Sequence, residues 1–336
     1  MVKIADVARH AKVSPSTVSY ALSGKRPISP QTRQRIEESI RVLGYRPHAG
    51  ARSLASSQSR VLALVLPLRK GVHVPVLMQF ATSVLTAARE HNHDVLLLAQ
   101  DEGDEGIVRV AKSAMADAFI IMDVELEDRR LPLLRTLDQP SVLIGFPADP
   151  TGLTCVDLDF RGAGEACVEH LAALGHRSVA LIGSPPEVYL RGTGFARRVT
   201  AGFTAAADRL GMRSIAHPCP ETPAAARAMA ERLIREDPSL TAVVVHNESV
   251  IQPLIAAFTA MGLRVPQDLS VIAICPDETA EQALVPITSV SIPSDEIGTR
   301  AVGLLMAKLV GRDAPETTVL PARLTPRSTT APPGSL

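Results

Sequence analysis

The sequence predicts an α/β protein in two unequal parts: a small N-terminal unit of three short helices, then a larger body of two doubly wound parallel sheets. Three observations carry this. From Ile4 to Gly44, apolar residues recur at helical spacing between sharp start and stop signals. Beyond Val61, short apolar runs alternate with helical stretches almost to the end of the chain, the pattern of parallel strands linked by helices. Positive charge is also segregated. Residues 1–60 hold eleven Lys or Arg against Asp6, Glu37 and Glu38, a net of +8, which leaves −8 on the remainder of a chain whose total is zero. A basic block on an acidic body is the footprint of a phosphate-binding module joined to something of another kind.

In the first helix Ile4, Val7, Ala8 and Ala11 form one apolar stripe. After a short turn at Lys12 and Val13, Ser14-Pro15 opens a second helix: the serine caps exposed amides and proline suits the first helical position, where no amide hydrogen is needed. Val18, Ala21 and Leu22 face inward, and Ser23-Gly24 ends the helix. Ser29-Pro30 repeats the opening for a third helix carrying Ile36, Ile40 and Leu43, with Gly44 as its stop. Two short helices separated by a tight turn form a helix-turn-helix, which lays its second helix in a DNA major groove. The small hydroxylated residues Ser16, Thr17 and Ser19 on that helix suit close approach to phosphates and base edges.

Between Arg46-Pro47 and Val61 there is little core-forming pattern, so this stretch reads as a hinge. Candidate strands of the body are 61–66, 95–99, 119–124, 142–146, 155–158, 179–183, 242–246, 271–275 and 290–292, with helices such as 75–91, 162–174, 224–236, 248–261 and 296–309 between them. Their number suggests two sheets. The expected division is 1–46 for the headpiece, 47–60 for the hinge, 61–330 for the two-lobed body and 331–336 for a Pro-rich tail.

Composition narrows the function further. A length of 336 residues exceeds one ordinary core, and 46% hydrophobic residues leave no large segment short of core material. Cys155, Cys167, Cys219 and Cys275 are widely spaced, which argues against a disulfide framework or structural zinc. His91 and His93 lack further ligands at chelating spacing, and His217, Cys219 and Glu221 alternate around prolines as an irregular edge strand would. Gly192-Thr193-Gly194 lacks the strand and helix opening of a nucleotide loop. No triad or paired-carboxylate set stands out, so neither catalysis, a cofactor nor a metal is expected. The opening residues read as an amphipathic helix rather than a secretion signal, and the apolar runs fall short of a bilayer span. A cytoplasmic chain without a membrane segment is expected.

The N-terminal motifs Ile4-Ala5-Asp6-Val7-Ala8, Val13-Ser14-Pro15-Ser16-Thr17-Val18-Ser19-Tyr20-Ala21-Leu22 and Gly44-Tyr45-Arg46-Pro47, leading into Ala51-Arg52-Ser53-Leu54, closely resemble the lactose-repressor and galactose-repressor family of bacterial transcription regulators. Weaker matches continue through Asp159-Phe160-Arg161-Gly162, Asn247-Glu248 and Val265-Pro266-Gln267-Asp268-Leu269-Ser270-Val271. The resemblance implies a body like the periplasmic sugar-binding proteins, a homodimer, a double-stranded operator and a small-molecule effector, sugar-related, in the cleft. It places base reading at Pro15, Ser16 and Tyr20 and phosphate contacts at Thr17, Ser29 and Thr32, and Ile4 joins the DNA-binding set. Tyr20 departs from the usual Arg or His and cannot clamp guanine with two parallel hydrogen bonds. In the hinge the resemblance assigns Leu54 as a minor-groove wedge, with Arg52 meeting phosphate, on a helix that forms only on DNA; two turns are too short to persist alone.

For the effector, the candidate residues are Asp159, Phe160, Tyr189, Arg191, Arg197, Asn247 and Cys275. Two departures matter: Val199 stands where the family often has an Arg before Gly202-Phe203, and Cys275 where it commonly has an Asp. The segment Ser184 to Arg198 reads as an enlarged loop from which Arg191, Arg197 or Arg198 can fill the gap, with Phe160, Tyr189 and Phe195 as the aromatic surfaces. A solute-binding protein, a regulator with a non-sugar effector or none, and an enzyme on the same body stand as the alternatives.

Overall fold

In the computed structural model, residues 2–23, 26–45 and 58–334 are described. The N-terminal unit comprises α1 (Ile4–Ala11), α2 (Pro15–Ser23) and α3 (Pro30–Leu43). Local chemistry sets each start. Asp6 accepts a hydrogen bond from the Lys3 amide at 2.9 Å, Ser14 Oγ from the Thr17 amide at 3.1 Å, and Ser29 Oγ from the Thr32 amide at 3.2 Å. Gly44 ends α3 in the left-handed conformation (φ 60°) that glycine adopts freely. Val7, Ala8, Ala11, Val18, Ile36 and Tyr45 close a small core.

The body begins at β1 (Val61–Val65) and contains two six-stranded sheets. The first also uses β2 (Asp94–Leu98), β3 (Ala118–Ile121), β4 (Ser141–Ile144), β5 (Cys155–Leu158) and β11 (Thr317–Leu320), in the order β11-β5-β4-β3-β1-β2. The second uses β6 (Ser178–Gly183), β7 (Arg213–Pro218), β8 (Ala242–Val245), β9 (Ser270–Cys275), β10 (Thr288–Ser291) and β12 (Leu324–Thr325), in the order β12-β10-β9-β8-β6-β7. All pairings are parallel except β10 with β12.

Helices α4 (Val74–Glu90), α5 (Gly103–Lys112) and α6 (Leu131–Thr136) belong to the first lobe. The chain crosses to the second lobe through α7 (Phe160–Ala173), which is followed by α8 (Pro186–Arg191), α9 (Gly194–Arg209), α10 (Pro223–Glu236), α11 (Ile251–Ala260) and α12 (Asp277–Glu281). It returns through α13 (Ser294–Leu309), which packs on α4. Helices α7 and α9 approach backbone to backbone. A Cβ on Gly202 would collide with the Arg161 carbonyl and one on Gly164 with the Val199 carbonyl, so only glycine fits either position.

Four sequence expectations need correction. The predicted enlarged loop over 184–198 is α8 and the start of α9, divided at Gly192 (φ 75°). Strands β7, β11 and β12 were not anticipated as regular strands: β7 and β12 are edges with partly exposed faces, and β11 is a polar edge strand with two exposed residues. Helices α5 and α6 and the short α12 also lie outside the predicted set. Finally, the expected Pro-rich tail is tied down at its first residue, Ala331. Its amide donates to Ser270 Oγ at 3.1 Å and its carbonyl meets His176 Nε2 at 3.0 Å, so this residue is held to the start of β9 and to the turn before β6.

Candidate functional site

On the headpiece, helix α2 projects its N-terminal end outward. Pro15 and Ser16 are exposed, and Thr17 and Tyr20 are half-buried. The Arg26 guanidinium lies over the Tyr20 ring, 5.1 Å from its centroid, bringing a cation to the edge of this surface. Ser29 is exposed and donates its hydroxyl hydrogen to Thr32 Oγ1 at 2.9 Å, which leaves the Thr32 hydrogen free for an outside acceptor. Exposed Arg9, Lys12, Arg33 and Arg35 surround the unit. Ile4 is half-buried against the headpiece core, as the first apolar position of an amphipathic helix should be. Arg52 and Leu54, with most of the hinge, lie outside the described residues. Where the chain enters the body, Asp117 accepts from the Ser59 and Arg60 amides at 2.6 and 2.7 Å and anchors the far end of the hinge.

A cavity lies between the two lobes. Strand ends and the loops after them supply its walls, the usual position for a ligand in an open α/β sheet. Contacts between the lobes clasp its mouth: Lys70 pairs with Glu187 at 2.5 Å, Arg191 Nη1 donates to the Lys70 carbonyl at 2.7 Å, and His73 Nδ1 meets Ser249 Oγ at 2.8 Å. Gly71 (φ 80°) lets the first-lobe loop approach Pro185 closely. Much of the lining is aliphatic or aromatic, including Val72, Leu77, Phe80 and Val188. Phe160, Phe195 and His246 form one ring cluster, with centroids 5.6 to 5.8 Å apart.

Several polar groups share this cavity, and burial shifts the titration of three of them. Burial pushes the Asp157 carboxyl up to about 7, against the opposing influence of the Leu158 amide and the Arg198 charge. Burial likewise raises Glu248 to about 7 and lowers His246 to about 4, so the imidazole is neutral at pH 7. Asp123 holds a left-handed backbone (φ 52°) unusual for a residue with a side chain. Its carboxylate is taken by Arg69, which also binds Asp101 and Glu125. Arg191 Nε and Nη2 and His246 Nδ1 are buried without any hydrogen-bond partner. Leaving such a group without a partner costs on the order of 1–3 kcal/mol, so these atoms are the ones a ligand's polar groups would meet.

Of the sequence-predicted effector residues, Phe160, Arg191 and Asn247 line this cavity, with Asn247 Nδ2 committed to the Cys219 carbonyl at 2.7 Å. The other four do not. Asp159 caps α7, accepting from the Gly162 amide at 2.8 Å. The Tyr189 ring packs over Gly183, with its hydroxyl 3.4 Å from Thr200 Oγ1. Arg197 donates to the Tyr189 carbonyl at 2.9 Å and stacks on its ring. Cys275 is wholly inside the second-lobe core, where burial pushes its thiol far up. Asp157, Glu248, His246 and His73 were not singled out as ligand-facing. The available signal was a carboxyl inside an otherwise apolar buried strand, Cys155-Val156-Asp157-Leu158.

All four cysteines are free and buried. Among the described residues no His, Cys, Asp or Glu group is arranged to hold a metal ion, and no helix is long and apolar enough to cross a membrane.

An exposed, arginine-flanked helix-turn-helix on a cleft-bearing α/β body defines a DNA-binding transcription regulator, and comparison with known proteins makes the assignment more specific. Residues 3–48 match the bacterial regulatory proteins of the lacI family and residues 168–330 the periplasmic binding protein-like domain. The HTH-type transcriptional regulator AglR of Rhizobium meliloti is 28% identical, over 98% of this chain and 95% of its own length. A LacI family transcriptional regulator from Bifidobacterium animalis is 25% identical and superposes with a TM-score of 0.73 over 82% of this chain and 99% of that one. The lac repressor dimer bound to operator shares the fold, with a TM-score of 0.82 at 22% identity over 98% and 99% of the two chains. The chain thus joins a lacI-family helix-turn-helix domain to a periplasmic binding protein-like domain, and the relatives it matches along nearly its whole length are transcription regulators.

Proposed function

We propose that this regulator is a cytoplasmic repressor that binds a pseudo-palindromic double-stranded operator as a homodimer and is switched by a small carbohydrate-related effector held between its lobes. The observation that carries the reading is the union, in one chain, of an outward-facing α2 and a clasped cleft with unmet hydrogen-bonding groups. Residues 1–46 act as the headpiece, 47–60 as the hinge and 61–330 as the effector and dimerisation domain. Pro15, Ser16 and Tyr20 read bases, while Thr17, Ser29 and Thr32 meet phosphates and set register. Two such helices must sit one turn of DNA apart, which requires a dimer. Leu54 enters the minor groove beside Arg52, and separation of the paired hinges releases the site.

In the cleft, Phe160, Arg191 and Asn247 contact the effector, joined by Asp157, His246 and Glu248. Asp159, Tyr189, Arg197 and Cys275 support its walls from behind. Salt-titrated gel shifts on an operator recovered from a randomised pool test the DNA half of this reading. A steep fall in affinity with salt is expected from several phosphate contacts; a flat response, or no sequence enriched, would sink it. A thermal-shift screen of metabolites, followed by gel shifts with each hit, tests the effector half. Hits that leave operator affinity unchanged would remove the switch.

A further inference from the structure

We propose that the effector carries a carboxylate, seated on the edge of Arg191 formed by Nε and Nη2. The inference rests on the reading of the cleft as the effector site and concerns which molecule that site selects.

The guanidinium of Arg191 is only partly used. Nη1 donates to the Lys70 carbonyl at 2.7 Å, which fixes the group's orientation. Nε and Nη2, which share one edge, are both shut off from water and both lack a hydrogen-bond partner. Two parallel N–H groups on one edge match the two oxygens of a carboxylate, whereas a single hydroxyl satisfies one of them. The protein supplies no such acceptor. The nearest carboxylate, Asp123, stands 3.9 Å from Nε, beyond hydrogen bonding, and is already bound by Arg69 at 3.1 Å.

Charge around the edge selects among anions. Asp123 and Glu221 line the same cavity, so a second negative charge on the ligand would face their carboxyl groups, whereas burial shifts Asp157 and Glu248 toward the uncharged form. A monocarboxylate therefore fits better than a phosphate dianion. Its carbon body meets the Phe160, Phe195 and His246 rings, and the partnerless His246 Nδ1 can engage one hydroxyl. The ligand class is a small hydroxylated monocarboxylic acid, a sugar acid or a hydroxy-aromatic acid, admitted when the Lys70–Glu187 and His73–Ser249 clasps open.

The test uses full-length protein and two matched sets of probes: gluconate, glucose and glucose 6-phosphate; and 4-hydroxybenzoate, 4-hydroxybenzyl alcohol and phenyl phosphate. Thermal shift ranks them and calorimetry gives Kd. At least one carboxylate should bind, with its neutral and phosphate counterparts weaker by about tenfold or more. Arg191→Gln should weaken that carboxylate by roughly 10- to 100-fold, and Arg191→Lys, which keeps the charge but not the fork, should recover only part. Because the replaced edge is unpaired in the free protein, the ligand-free Tm of Arg191→Gln should be no lower than wild type by more than the one bond to Lys70 accounts for, which separates a binding defect from a folding defect.

Equal or tighter binding of a neutral or phosphate probe, full affinity in Arg191→Gln, or no carboxylate binding overturns the proposal. Val188→Trp, which fills the cavity, separates the two levels of inference. A probe lost in Val188→Trp but indifferent to Arg191 refutes the carboxylate and keeps the cleft, whereas one indifferent to both refutes the cleft as well.

Discussion

Replacing Asp157 by Asn should make the protein more stable at alkaline pH. Asp157 is 6% exposed, lies on β5 at the cavity wall and accepts one hydrogen bond, from the Leu158 amide at 2.9 Å. Its folded-state pKa, about 7, stands above the ordinary 3.8. A carboxyl raised on folding holds a proton that the unfolded chain releases. Its contribution therefore falls as pH rises from about 4 to about 7 and stays at its full deficit above that. At 1.36 kcal/mol per pKa unit the full deficit is at most about 4 kcal/mol. The part acquired between pH 5 and pH 8 is about 2 to 3 kcal/mol.

Asn preserves the shape and the acceptor oxygen without the charge. Urea unfolding of wild type and Asp157→Asn, followed by circular dichroism at both pH values, should show the difference in stability shifting toward the variant by that amount. Glu248, raised in the same direction, and His246, lowered, are common to both proteins and cancel in the difference. Parallel pH profiles would refute the claim that this buried carboxyl is held uncharged by its surroundings.

The remaining predictions concern reading and packing. Tyr20→Ala should weaken operator binding by about 1–3 kcal/mol and relax preference at one base-pair position; an unaltered consensus from a randomised-operator selection would remove Tyr20 from the reading set. Gly202→Ala should force α7 from α9 and cost about 1–3 kcal/mol, visible as a lower Tm; an unchanged Tm would mean that the helices separate freely. Ser29→Ala deletes the cap of α3 and should destabilise the headpiece by about 1 kcal/mol, measured as earlier melting of the N-terminal unit.

Much of the fold was legible because it rests on neighbours in sequence. Ser14-Pro15 and Ser29-Pro30 open helices through bonds spanning three residues, at 3.1 and 3.2 Å, and the apolar stripe of α1 follows from period alone. The central strands read clearly because they are buried on both faces, as in Ala118–Ile121 and Ala242–Val245. Edge strands such as β7 have partly exposed faces and little apolar pattern, so they were read only as irregular. The 184–198 segment reads as a loop because helix α8 is only 6 residues long, held by capping at Gly192 rather than by an apolar stripe.

By itself, then, the sequence determined the family resemblance of the headpiece, the helix-turn-helix and its candidate reading residues, the division of charge, and the alternation that makes two parallel sheets. All of these depend on residue type and short-range spacing. Only the tertiary structure decided which polar groups meet in the cleft. Asp123, Asp157, Arg191, His246 and Glu248 come from separate strands, loops and a helix of both lobes. Their protonation and their unmet hydrogen bonds arise from burial, which no local pattern encodes. The same dependence explains why Arg197, six residues beyond Arg191, does not line the cavity: α8 ends at Gly192 in a left-handed turn (φ 75°), and Arg197, on α9, donates instead to the Tyr189 carbonyl.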